Sequence, residues 1–227
     1  MITPPLAIGV DGFPGGWITV ALDAATNRVV DGRTFPHFST IVTTWPEATI
    51  GVDMPIGYAE GTARRACDEA ARQFVGARRS SVFFVPTAAV LAAESYDDAN
   101  THARASGAAG ISKQLWALRT KIAEVAAAVT DEDVRARVFE VFPEAAFCAL
   151  NGAPLDHAKR TWHGHELRRV LLAKAGVELD AAVIDAGAAA PDDVLDAAAL
   201  AWSTARIVRG EAASLPADAT TGPRIWY

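Results

Sequence analysis

The sequence predicts an α/β fold, a mixed sheet made of a three-strand meander and later βα units, with a helical insertion over about residues 58–132. Three observations predict it. Three apolar, β-branched runs follow one another within the first 35 residues, separated by Gly/Pro or polar turns. Two further strand-like runs stand alone, ending at Asp53 and at Phe142. Between and after these two lie long stretches rich in Ala, Arg, Glu and Gln with helical spacing.

Leu6 to Val10 is the first run and closes at Asp11; Gly12-Phe13-Pro14-Gly15-Gly16 then turns the chain into Trp17 to Leu22, which reads as a hairpin. Asn27 to Phe35 is the third strand, His37 to Trp45 a short helix, and Ala48 to Val52 a fourth strand closing at Asp53-Met54-Pro55. Pro55 pushes Met54 into an extended conformation. In the stretch from Gly61 to Asp131 the clearest helix is Gly110 to Val129, with Ile111, Leu115, Leu118, Ile122 and Val125 three and four apart. Arg137 to Phe142 alternates as a fifth strand; Thr161 to Ala175 and Asp192 to Val208 are helical, and the Ala-rich 185–190 segment is the candidate flexible joint. Strands first in a meander and then in βα units form a mixed sheet covered by helices. That order is the strand plan of RNase H-like proteins, here expected as one domain over residues 1–227.

Composition narrows the class. Hydrophobic residues make up 51% of the 227 and charged residues 21%, as in packed globular proteins. Two distant cysteines, Cys67 and Cys148, make neither a disulfide scaffold nor a cysteine-based zinc finger. No apolar run reaches the ~18 residues of a membrane span, and the N-terminus, running from Pro4-Pro5 into the first strand, lacks the features of a signal peptide. A cytoplasmic protein is expected. The formal charge of −6 argues against a nucleic-acid coating protein. Five Lys/Arg nevertheless cluster in 61–81 and five more in 151–175, arms that a phosphodiesterase with an acidic centre would need and that surface placement alone also produces.

Carboxylates fall where chemistry would want them. Asp11 and Asp53 end strands that, if parallel neighbours ~4.8 Å apart, present both acids beyond their carboxyl ends, where open α/β sheets bind ligands. Two such acids repel each other and persist more readily around a cation. Oxygen donors suit Mg2+ or Mn2+. Glu140 lies mid-strand among apolar neighbours, with Glu144 beyond Pro143, so it faces either the site or solvent on an edge strand. Asp192 reads as a helix cap, while Asp193 and Asp196, three apart, share one face. Asp11, Asp53, Glu140, Asp193 and Asp196 are the candidate catalytic set, with Asp11, Asp53, Asp193 and Asp196 as metal ligands. Such a set could activate a water and steady the leaving oxygen in phosphodiester cleavage.

Gly12 would let a substrate approach the backbone, and Arg78, Arg79, Lys159 and Arg160 are the candidate phosphate contacts. His157, His163 and His165 cluster beside Lys159 but lack a familiar zinc-ligand spacing, so a solvated or phosphate-facing surface is the simpler reading.

The chain resembles domain-of-unknown-function family 429, described as predicted nucleases of RNase H-like fold. The matching stretches are Gly9-Val10-Asp11-Gly12-Phe13-Pro14-Gly15-Gly16-Trp17, Gly51-Val52-Asp53-Met54-Pro55-Ile56-Gly57, Arg65-Ala66-Cys67-Asp68, Arg78-Arg79-Ser80-Ser81-Val82-Phe83, Gly110-Ile111-Ser112-Lys113-Gln114, Glu140-Val141-Phe142-Pro143-Glu144, Asp192-Asp193-Val194-Leu195-Asp196-Ala197 and Ile225-Trp226-Tyr227. The family often carries cysteine at Phe13 and histidine at Phe142, so this chain lacks a proton-handling side chain there and keeps the carboxylates. The Asp193-x-x-Asp196-Ala start is similar to the metal-binding last helix of Holliday-junction resolvases. The resemblance implies metal-dependent nucleic-acid hydrolysis. Two other classes share such a sheet: nucleotide- or phosphate-binding proteins of the actin and sugar-kinase type, which clamp nucleotide between two domains, and non-catalytic interaction modules.

Overall fold

In the computed structural model, which describes residues 5–227, the first two strands are β1 (Leu6–Phe13) and β2 (Gly16–Asp23). They pair antiparallel around Pro14-Gly15, with Phe13 opposite Gly16. β1 therefore runs two residues past Asp11, and Gly12 belongs to the strand and not to the turn. The tight reversal needs Gly16, whose φ is +146°. β3 (Val29–Phe35) completes the meander, α1 (Phe38–Thr44) crosses back, and β4 (Thr49–Val52) lies parallel to β1. Pro4, in the segment read as leading into the first strand, lies outside the described residues.

The chain then leaves the sheet through α2 (Ala66–Phe74), a 3-10 turn (Gly76–Ser81), α3 (Ala88–Leu91), α4 (Tyr96–Ala105), α5 (Lys113–Ala128) and α6 (Glu132–Arg135). These helices fill the stretch between β4 and the next strand, where the sequence predicts helical segments. The chain returns as β5 (Val138–Glu140), parallel to β4 at the edge. The strand predicted to reach Phe142 stops at Glu140, because Pro143 starts α7 (Pro143–Asn151), a helix the sequence reading missed. Proline is favoured in a first helical turn, whose N–H groups have no intrahelical partner. α8 (Trp162–Lys174) and α9 (Pro191–Val208) match the expected helices within two residues. Ile184–Asp185 is a sixth strand, β6, at the start of the segment read as a flexible joint, and β7 (Ser214–Leu215) pairs with β8 (Ile225–Trp226).

The six-stranded mixed sheet has the order β5-β4-β1-β2-β3-β6. Strand alternation sends Ile8, Val10, Ile50 and Val52 to one face, packed with α1 and α5, while Ile18, Val20 and Leu22 meet α7, α8 and α9 on the other. Among the described residues no helix is long and apolar enough to cross a membrane.

α9 lies unusually close to the sheet, and two glycines are the reason. A Cβ on Gly9 would stand 2.0 Å from the Ala197 carbonyl oxygen, and one on Gly51 would stand 2.1 Å from Thr204 Oγ1. The helix is also lined with buried alanines from Ala197 to Ala201. Small residues on both surfaces set the depth of α9, and α9 carries Asp193 and Asp196.

Candidate functional site

Side-chain parity explains the site. Asp11 lies two residues beyond Gly9, and Asp53 two beyond Gly51, so both acids share the face covered by α9. Val10 pairs with Val52, and the Asp53 N–H donates to the Val10 carbonyl at 3.0 Å, which sets the two aspartates at matching strand ends. Following α9 back from Ala201 through Ala197 leads to Asp196 and Asp193 in its first turns. Three elements distant in sequence thus deliver acids to one cavity of about 320 Å³, which Gly12, Glu140, Glu144, Lys159 and Arg160 also line. The missing side chain of Gly12 lies on the α5 side of the sheet, where a Cβ would stand 2.8 Å from Lys121 Cδ.

Burial and mutual repulsion perturb these groups. Asp11 is 6% exposed and its carboxyl is held well above the usual carboxylate range, by burial first, then by Asp53 and Asp196. Burial and the Asp196 charge push half-buried Asp53 up to about 7. Asp196 is pushed to about 6 by burial, against the opposing pull of Lys159.

Lys159 is placed differently from the expectation of a free phosphate contact. Its Nζ donates to Asp196 Oδ2 at 2.5 Å and stands 3.7 Å from Asp192 Oδ2. Burial disfavours its charge, yet Asp196, Asp11 and Asp53 outweigh that and raise its pKa. Arg160 pairs with Asp192 at 3.3 Å. The expected cap roles are exchanged as well. Asp192 is buried in these ion pairs, and it is Asp193 Oδ2 that accepts the Ala190 N–H at 3.3 Å. Asp193 is half-buried at the cavity and partly occupied by that bond.

Glu140 lines the cavity and is neither solvent-facing nor free. Arg65 spends all five N–H donors inside the protein: Nε and one terminal nitrogen on Asp68 Oδ1, the others on Glu140 Oε1 at 2.6 Å, Glu140 Oε2 at 3.0 Å and the Gly57 carbonyl. Glu140 Oε2 also accepts the Ile56 N–H, and Asp68 Oδ2 the Val85 N–H. This buried triad ties the helices between β4 and β5 to the sheet edge, so both Glu140 oxygens are engaged by Arg65 where Glu140 meets the cavity. Arg78 and Arg79, expected as phosphate contacts, sit on the 3-10 turn outside the cavity lining, and Arg78 Nε donates to the Leu155 carbonyl. Of the histidines, His157 and His163 stack at 5.3 Å between ring centres.

The sequence reading did not single out Arg65, Lys121 or Arg168 as parts of the site. Lys121 donates to the Gly16 carbonyl at 2.5 Å beside the Trp17 ring. Arg168, wholly buried, binds Glu144 Oε1 at 2.6 Å, leaving Glu144 Oε2 buried without a hydrogen-bond partner.

The donor chemistry of the cavity fits a hard divalent cation: buried carboxylates that repel one another, and an orphaned carboxylate oxygen on a side chain lining the same space. The spacing is wider than a cage. Among the described residues no three His, Cys, Asp or Glu side chains stand close enough to hold one ion.

Fold and site define a class, a mixed α/β protein with an acid-lined cavity beyond the carboxyl ends of two parallel strands. The chain belongs to the protein family of unknown function DUF429, whose pattern matches residues 9–221. No curated protein matches it, and no solved structure matches it.

Proposed function

We propose that this chain is a divalent-metal-dependent hydrolase of nucleic-acid phosphodiester bonds, built on an RNase H-like fold. The carrying observation is the convergence of Asp11, Asp53 and Asp196 on one cavity, with their carboxyls raised by burial and by one another. The meander flanked by parallel strands, in the order β5-β4-β1-β2-β3, supports the fold assignment. The two buried free cysteines suit the reducing cytoplasm.

Bound Mg2+ or Mn2+ would supply an activated water and neutralise charge on the leaving oxygen. The chain's own residues do the rest. Asp11, on the central strand, and Asp53, on its parallel neighbour, anchor one side of the site. Asp196 closes it from α9, whose N-terminal dipole favours negative charge. Arg65 fixes Glu140 and Asp68, and with them the loop carrying Ile56 and Gly57 at the cavity rim. Lys159 and Arg160 lie at the cavity with charge suited to a phosphate.

The test is a cleavage assay on branched, single-stranded and duplex DNA and RNA with Mg2+, Mn2+ or chelator. Cleavage that needs the ion and disappears in Asp11→Asn supports the reading. A protein stabilised by nucleotide and inert to every nucleic acid belongs instead to the actin and sugar-kinase type.

A further inference from the structure

We infer that Lys159 is the resident counter-cation of the acid cluster, and that a divalent ion must displace its ammonium to bind. The inference rests on the metal-dependent reading and adds how the site is controlled. Lys159 lies between the end of α7 and the start of α8, on the loop of residues 152–161, and reaches Asp196 Oδ2 at 2.5 Å. Its side chain is 34% exposed while that of Asp196 is 5% exposed, so the cation reaches in from a solvent-facing loop and the anion belongs to the buried start of α9. Asp11 and Asp53 add their fields to the same ammonium. Asp196 is thereby engaged by the protein itself, and the acids stand too far apart to cage an ion as they are.

Three buried carboxylates would repel one another strongly if ionised without a partner. A lysine on a solvent-reaching loop satisfies the cluster in the absence of metal and can leave without disturbing the sheet. Its alternative partners are at hand: Asp192 Oδ2 stands 3.7 Å away, and the same cavity would receive the substrate's phosphate. Arg160, on the same loop and 84% exposed, holds Asp192 from outside and would leave with it. Metal binding and release of Lys159 toward phosphate are then one event, and phosphate contact is strongest when the ion is in place. A lysine suits this role better than an arginine, being a compact cation on a flexible stem.

The experiment pairs two measurements at pH 8, above the values of about 7 and about 6 to which Asp53 and Asp196 are raised. MnCl2 is titrated by calorimetry into wild type, Lys159→Met and Asp53→Asn, and wild-type Lys159 is labelled with acetic anhydride with and without saturating Mn2+, then read by mass spectrometry. Competition predicts Mn2+ binding at least about tenfold tighter in Lys159→Met, since a charge-assisted hydrogen bond no longer has to be broken first. It also predicts several-fold faster acetylation of Lys159 in the Mn2+-bound wild type. Labelling needs no variant, so a Lys159→Met protein that folds poorly does not spoil the test. Unchanged labelling and unchanged affinity in Lys159→Met, with binding lost in Asp53→Asn, overturn the competition and leave the metal site standing. An absence of Mn2+ binding in both wild type and Lys159→Met overturns both.

Discussion

Asp11 and Asp53 stand side by side: each is the residue after the paired Val10 and Val52 of parallel β1 and β4, and the charge of Asp53 helps hold the Asp11 carboxyl in its protonated form. A pair of acids so placed is costly to the empty protein and useful to one that binds a cation.

That cost makes Asp53→Asn a stabilising change without metal. Above pH 7 the wild-type carboxylate must ionise beside Asp11 and Asp196, whereas the amide does not. One pKa unit is worth about 1.4 kcal/mol, so the variant gains about 1–2 kcal/mol at pH 8, read as a rise in melting temperature of about 2–8 °C for a chain of this size. The same variant loses the stabilisation that Mn2+ gives to wild type. A melting temperature that falls in Asp53→Asn would show that the acid is doing structural work.

Stability should fall with rising pH between about 4 and 7. The folded carboxyls of Asp53 and Asp196 hold their protons to about 7 and about 6, while the unfolded chain releases them near 4. In that window the folded state binds more protons, so unfolding becomes easier as pH rises. Lys159, raised from its usual value, contributes stability that is lost only at much higher pH and leaves this window alone. Urea denaturation at pH 4.5 and 7.5 checks the sign, and saturating Mn2+ should shrink the difference because it binds the ionised acids.

Arg65→Met should cost about 3–5 kcal/mol, because Glu140 and Asp68 would remain buried without their cation. Since Arg65 ties the insertion to β5, limited proteolysis should cut the 57–65 region faster than in wild type. A loss below about 1 kcal/mol would contradict the anchoring role.

Gly9→Ala should destabilise by about 1–3 kcal/mol or more, as overpacking does in close contact. The methyl would meet the Ala197 backbone at 2.0 Å and lift α9, taking Asp196 away from Asp11. Weaker Mn2+ binding should accompany the lower stability; normal stability would mean that α9 does not set the depth of the site.

What the sequence showed and what it hid divide along physical lines. Asp11 and Asp53 could be read because a strand's end and its parallel neighbour are local patterns, and Asp193 with Asp196 because three residues make nearly one helical turn. Gly9 and Gly51, which bring α9 down onto them, carried no signal, since a glycine in a strand does not name its partner. The bond between Lys159 and Asp196 joins residues 37 apart, and that between Arg65 and Glu140 residues 75 apart. Neither has a period to betray it, so Lys159 and Glu140 received roles as though each were free. α7 was hidden because the alternating pattern of Val138 to Phe142 runs past the end of β5 at Glu140 right up to Pro143, where the helix begins.

The central claim is that these aspartates share a cation. Calorimetric titration of Mn2+ into wild type, Asp11→Asn and Asp196→Asn at pH 8 tests it most directly. One ion per chain in wild type, with affinity reduced at least about tenfold in both variants, is the predicted result. Wild type that takes up no Mn2+, or variants that bind it as tightly, would contradict the claim.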